Sequence, residues 1–347
     1  MLQRYCCPKC IGDHGLQSEI IPSRSNRKGK CDFCGSDNVD LIEPSELCPE
    51  FEIFLGAYEK DQNGILLAEW MKSDWGLFTH PKMDMANAQM LLAEILDDDD
   101  IVRKRFSPSS KYDSQTLVQW ETLRDELMHG NRWFLDDKSK IDTDRLAQLI
   151  VHVVQEVSPG SWHRARVLAE HEQCFSLDKM GPPPQRKATN GRANPAGIPY
   201  LYLGSTTETA TSEIRPHTGD NICIASFEIP KIKVVDLQKP RKLVSPFYLS
   251  ESSAIDQLRS DLPFLERLGD ELTRPVLPQG AAIDYLPSQY LCEFIKKEGY
   301  DGVLYRSSVS DGVNLALFDP EKAIGKAVKR YQIKKVSVES EELLDSE

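Results

Sequence analysis

The chain has 347 residues, enough for two or three domains, with 40% hydrophobic and 28% charged residues, the balance of an ordinary folded protein. Its formal net charge of −12 disfavours wholesale nucleic-acid binding by phosphate neutralisation and leaves only a local basic face for such a partner. No apolar run has the length of a membrane span and no signal-peptide core follows Met1, so a cytoplasmic protein with no membrane partner is expected.

The first element is a cysteine cluster. Cys7-Pro8-Lys9-Cys10 and Cys31-Asp32-Phe33-Cys34 are two C-x₂-C pairs with 20 residues between them. Each pair lets two thiolates reach one ion across a tight backbone turn, and two pairs supply the four tetrahedral ligands of Zn²⁺. Four sulfur ligands leave no open coordination position, so Cys7, Cys10, Cys31 and Cys34 predict a structural zinc ribbon over residues 1–46. Cys6 has poorer spacing than Cys7. The basic stretch from Ile20 to Lys30 is expected to be a solvated ribbon loop.

From Leu47 to about Phe134 apolar residues recur at three and four, which predicts helices at Glu50 to Tyr58, Ala68 to Trp75, Met85 to Leu96 and Gln115 to His129. The reading is a helical domain over 47–137. A further apolar helix from Ala147 to Val157 occupies a linker at 138–160, ended by Ser158-Pro159-Gly160.

Residues 161–330 alternate strands and helices. Ser161 to Val167 reads as a strand carrying Arg164 and Arg166 two positions apart, on one face. Asn194, Pro195 and Gly197 mark a turn, Ile198 to Leu203 a strand, and Ser205-Thr206-Thr207-Glu208 a helix start, with Ser205 as N-cap for a helix bearing Glu213. Strands follow at Ile222 to Ile229, Lys233 to Leu237, Tyr300 to Tyr305 and Asn314 to Phe318, with helices at Ser250 to Arg267 and Tyr285 to Lys297. Ser307 and Ser308 come straight off the end of a strand. The tail after Val336 is acidic and is expected to be disordered.

Arg192, Tyr202 and Glu213 fall within 22 residues. An arginine can fork onto a diphosphate, a tyrosine face can stack on a flat cationic ring, and a carboxylate can stabilise a developing oxocarbenium ion. A dinucleotide with a nicotinamide ring offers all three partners. The chain holds no G-x-G-x-x-G or P-loop motif, so hydride transfer and ATP hydrolysis lose support.

His163-Arg164-Ala165-Arg166, Gly191 to Leu203, Glu213-Ile214-Arg215-Pro216 and the block from Leu286 to Pro320 together resemble the RES domain, a family named for an arginine, a glutamate and a serine and found in bacterial toxins of toxin–antitoxin pairs. The resemblance implies an α+β chain: a zinc ribbon and helical domain, then a mixed-sheet domain similar to ADP-ribosyltransferases with flanking helices. It implies cleavage of the nicotinamide–ribose bond of NAD, with inorganic phosphate as the favoured acceptor, giving ADP-ribose 1″-phosphate. Protein ADP-ribosylation and NAD hydrolysis remain alternatives. Arg164, Tyr202, Glu213 and Ser307 are then the catalytic candidates, and Arg192, Arg166, Ser308 and Asn194 the dinucleotide contacts. The choices between Arg164 and Arg166, and between Ser307 and Ser308, stay open. The family commonly has an aromatic where this chain has His163. A separate antitoxin and a homodimer are the implied protein partners. Arg124 and His129 resemble the R-x₄-H motif of HEPN domains, which implies either RNA cleavage or dimerisation by the helical segment, and an RNA-acting sensor is the competing reading.

Overall fold

A computed structural model describes residues 3–112, 114–170, 172–277, 279–337 and 340. The fold is α+β and divides into two compact units. One takes Met1–Leu123, Asp136–Val153 and Lys239–Arg267; the other takes Arg124–Leu135, Val154–Gln238 and Leu268–Glu347. No helix among the described residues is long and apolar enough to cross a membrane.

In the first unit, strands β1 (Arg27–Gly29) and β2 (Val39–Leu41) pair antiparallel, with Lys28 opposite Asp40. The chain between the two cysteine pairs departs from the expected open loop. A π-helical turn at Leu16–Ile20 runs into a helix at Ile21–Arg24, because Leu16 and Ile21 are both fully buried. Arg24 is not free in solvent: it donates to the Glu46 carbonyl at 2.9 Å and pairs with Glu50.

Helices at Cys48–Leu55, Leu67–Trp75 and Met85–Leu96 follow the apolar spacing. Phe54 packs against Trp75 and Phe247, with ring centroids 5.7 and 5.6 Å apart. Asp84 caps the third helix by accepting from the Asn87 N–H at 2.8 Å. The segment is not purely helical, however. Strands β3 (Tyr58–Leu66) and β4 (Arg105–Pro108) form an antiparallel pair. Much of β3 is exposed and polar, so it carries no apolar alternation to reveal it.

The second unit is built on strands β5 (Val154–Val157), β6 (Gly160–Val167), β7 (Leu201–Gly204), β8 (Asn221–Ile229), β9 (Ile232–Asp236), β10 (Gly302–Arg306), β11 (Val313–Leu317) and β12 (Ile324–Gln332). Their order in the sheet is β12-β8-β6-β7-β11-β10-β9-β5. Only β9 and β10 run parallel; the other neighbours are antiparallel. Leu201, Leu203, Cys223, Ala225, Phe227 and Leu315 belong to one apolar cluster against the sheet.

Two strands and a disulfide differ from the sequence reading. The helix expected to reach Val157 ends at Val151, and Val154–Val157 becomes the edge strand β5 beside β9. Strand β12 had no apolar signature because Lys326, Lys329 and Arg330 lie along an exposed edge, the charging that keeps sheet edges from pairing further. Residues 338–339 and 341–347 of the acidic tail lie outside the described residues. Cys174 and Cys223 are joined as a disulfide, Cα atoms 5.8 Å apart, a pairing that 49 residues of separation and the compartment argument did not suggest.

Candidate functional site

Gly191 begins the loop that leads into β7. A β-carbon there would lie 2.3 Å from Asn194 Oδ1 and 2.6 Å from the Tyr202 hydroxyl, so a larger residue would have to push these two hydrogen-bonded groups apart or away. The Tyr202 hydroxyl donates to Asn194 Oδ1 at 2.7 Å and accepts from the Ala193 N–H at 2.9 Å. The Asn194 amide in turn donates to the carbonyls of Thr189, Pro195 and Ile198. Ser288 and Gln289, on the helix Leu286–Lys297, donate to the carbonyls of Arg192 and Gly191. These bonds fix the direction in which Arg192 leaves the loop. Its guanidinium donates to the Arg274 carbonyl at 2.8 Å and lies 5.3 Å from the centre of the Tyr285 ring.

Strand β7 then delivers the chain to the helix Thr207–Glu213. Its N-cap is Thr206, which accepts from the Thr209 N–H at 3.0 Å; the expected cap, Ser205, instead accepts from the Val313 N–H. Gly204 lets this helix close on the strand, since a β-carbon would sit 2.7 Å from the Ala210 nitrogen. Glu213 is the last residue of the helix. Its Oε1 accepts from the Ser307 hydroxyl at 2.7 Å and from the Asn314 amide at 2.6 Å. Ser307 and Asn314 are buried, whereas Glu213 as a whole is exposed. One carboxylate oxygen is thus held by two donors.

These elements enclose a cavity of about 440 Å³, a volume within the range of small-molecule sites. Arg164, Arg192, Tyr202, Glu213 and Ser308 line it, together with His163, Arg215, Tyr285, Tyr305 and Asn314. Three arginines face one carboxylate, so the wall favours an anionic ligand. Arg164 carries the sharpest signal. Its Nη1 is buried without a hydrogen-bond partner, and burial, with repulsion from Arg166, draws its guanidinium down to about 10. A buried guanidinium nitrogen without a partner is costly unless a ligand completes it.

The structure separates the residues that sequence left as alternatives. Arg166 does not line the cavity: it is exposed, donates to the Lys179 carbonyl at 2.6 Å and stacks over Phe175 at 4.3 Å. Strand period puts both arginines on one face, but the cavity ends before Arg166. Asn194 also lies outside the lining, with its amide and carbonyl oxygen spent inside the loop. Ser308 lines the cavity while Ser307 holds Glu213. Asn314 and Tyr285 were read from sequence only as element starts. An asparagine near the start of an apolar strand, directed inward, was the available signal for the first.

Two expected outcomes follow from these contacts. Asn314→Ala removes one of the two donors on Glu213 and is expected to slow turnover roughly tenfold, with Ser307→Ala/Asn314→Ala less damaging than the product of the single effects; steady-state kinetics of the three variants checks this. Tyr202→Phe leaves the buried Asn194 oxygen and Ala193 N–H without a partner and is expected to cost about 1–3 kcal/mol of stability, read by thermal unfolding.

In the first unit, the sulfurs of Cys7, Cys10, Cys31 and Cys34 all lie within 4.8 Å of one another and all four residues are buried. Pro8–Ile11 forms a helical turn that carries Cys10 back to Cys7, and the Gly35 N–H bonds the Cys31 carbonyl at 3.0 Å to close the second knuckle. Cys31 is drawn far below the ordinary thiol range by hydrogen bonds from Cys10 and Cys7. The cluster has the donor set and spacing to hold a metal ion. Cys6 is outside it, bridged through its backbone to Ile42.

Arg124 and His129 lie on the helix Thr116–His129. Arg124 pairs with the fully buried Glu271 at 3.0 Å, and His129 is exposed.

The model of the RES domain family matches residues 162–337, just over half of the chain. The chain belongs to the RES-domain family. The matched span runs from β6 through β12 and contains every residue that lines the cavity. No curated protein matches the chain. Among solved structures, a chain of the M. tuberculosis MbcT–MbcA toxin–antitoxin complex is similar at 14% identity, over 54% of this chain and 92% of that one, with a TM-score of 0.31.

Proposed function

We propose that this RES-domain protein cleaves the nicotinamide–ribose bond of NAD, by phosphorolysis to nicotinamide and ADP-ribose 1″-phosphate, and acts as a toxin or defence enzyme that depletes NAD. The observation that carries the proposal is the buried, unpartnered Nη1 of Arg164 in a cavity whose single carboxylate, Glu213, is held by two donors. Arg164 and Arg192 hold the diphosphate, and the faces of Tyr202 and Tyr285 offer stacking for the cationic ring. Nicotinamide leaves as a neutral molecule, so no general acid is needed. What needs stabilising is the oxocarbenium ion, and Glu213 supplies the charge. Ser307 acts by positioning Glu213. The domain order is a zinc ribbon at 1–46, a helical segment at 47–137, a linker at 138–160 and the catalytic domain at 161–330, with an ADP-ribosyltransferase-like sheet. The four cysteines hold structural Zn²⁺, and an antitoxin is the expected protein partner. The RNA-cleaving reading has no observation in its favour, since Arg124 is committed to Glu271.

Nicotinamide release from NAD by the purified chain tests the proposal against Arg164→Ala. Release by the wild type that falls at least about 100-fold in the variant is the expected result, since an arginine aimed at a diphosphate supplies a bidentate charged contact. Equal release by both would remove the anion-binding role of Arg164, and release by neither would remove the activity.

A further inference from the structure

The helix Thr207–Glu213 is shared by two clefts. Ala210 and Glu213 line the cavity described above, while Thr211 and Ser212 line a second cleft of about 1060 Å³ on the helix's other flank. The turn Val309–Gly312 between β10 and β11, and Lys335 beyond β12, complete the second wall. Arg215 lines both clefts.

The backbone at Arg215 gives that placement weight. Arg215 sits just past the helix end with φ of 46°, its N–H bonded to the Ser212 carbonyl at 3.0 Å. This is the left-handed closing position that glycine fills without strain and that a residue with a β-carbon occupies at a cost. Non-glycine residues held there are concentrated at functional sites. The Arg215 guanidinium makes no hydrogen bond or ion pair among the described residues, and neither does the Lys335 ammonium. Two cations without partners therefore reach a cleft that adjoins the oxygen-holding end of the helix. His217 adds a further basic group; Glu208 and Asp311 line the same cleft and offset part of the charge, which restricts the site to a small oxyanion rather than a polyanion.

We propose that the second cleft is the acceptor entrance, in which Arg215 and Lys335 bind inorganic phosphate and pass it to the ribose held in the first. This rests on the phosphorolysis reading. A phosphate oxygen forms the new bond to the ribose anomeric carbon as the carbon–nitrogen bond breaks. The electron pair of that bond neutralises the pyridinium of the departing nicotinamide, and the phosphate proton goes to solvent. Entry past Arg215 keeps the acceptor's path separate from that of the dinucleotide.

The test is initial rates over a phosphate series at saturating NAD, and over an NAD series at saturating phosphate, for the wild type, Lys335→Ala and Arg215→Gly. Loss of either cation is expected to raise the phosphate KM roughly tenfold. The NAD KM of Lys335→Ala should stay within about twofold, because Lys335 does not line the first cavity. Arg215→Gly should melt no lower than the wild type, since glycine relieves the left-handed strain, which separates a lost contact from a lost fold. A phosphate KM unchanged in both variants, or NAD and phosphate KM values rising together in Lys335→Ala, overturns the proposal. If the wild type releases no nicotinamide, or releases it at a rate indifferent to phosphate, the phosphorolysis reading falls. Equilibrium dialysis of radiolabelled phosphate then judges the cleft alone: binding that is lost in Arg215→Gly/Lys335→Ala keeps the site, and no binding by the wild type removes it.

Discussion

Glu213→Gln is expected to lower nicotinamide release by about 100- to 1,000-fold while leaving NAD affinity within a few-fold of the wild type. The substitution keeps the shape of the side chain, and its carbonyl oxygen can still accept from Ser307 and Asn314. What disappears is the negative charge. That charge interacts weakly with a neutral ribose in the ground state and strongly with the cation that develops as nicotinamide leaves, so the loss falls on kcat rather than on binding. Single-turnover rates combined with NAD binding by calorimetry separate the two effects. A variant that turns over at the wild-type rate would remove Glu213 from the chemistry, and one that fails to bind NAD would make it a binding residue.

Removal of metal from the cysteine cluster is expected to unfold the N-terminal end of the first unit. Structural zinc sites contribute about 10–16 kcal/mol, comparable to the whole stability of a domain. Burying Cys7, Cys10, Cys31 and Cys34 together without an ion leaves charged or unpaired sulfurs in the interior, and β1 and β2 span only three residues each. One zinc per chain by elemental analysis, loss of it in Cys10→Ser, and rapid proteolysis between residues 5 and 45 in that variant are the expected results. Absence of metal from the purified chain, with Cys10→Ser as resistant to protease as the wild type, would make the cluster four reduced thiols.

What could be read from the amino-acid order differs between the two units for physical reasons. The cysteine pairs announced their cluster because metal ligation imposes a fixed local spacing. The strand bearing Arg164 and the turn before Tyr202 were legible because glycine, proline and apolar runs act over a few residues. Strand β5 was lost because Val153 and Val154 suit a helix and an edge strand equally, and only pairing with β9, nearly 80 residues away, decides between them. The clamp on Glu213 was half visible: Ser307 stood out as a serine at a strand end, but Asn314 reaches the same oxygen from the neighbouring antiparallel strand, and register is a tertiary property. Arg164 and Arg166 were indistinguishable by period alone. Burial separates them, leaving one without a partner in the cavity and the other stacked on Phe175.

The most direct measurement is mass spectrometry of the products formed from NAD by the purified chain, with and without inorganic phosphate. Nicotinamide together with a phosphorylated ADP-ribose, formed only when phosphate is present, is the predicted result. Intact NAD under both conditions, from a folded protein, would contradict NAD cleavage, and ADP-ribose formed at the same rate without phosphate would replace phosphorolysis with hydrolysis.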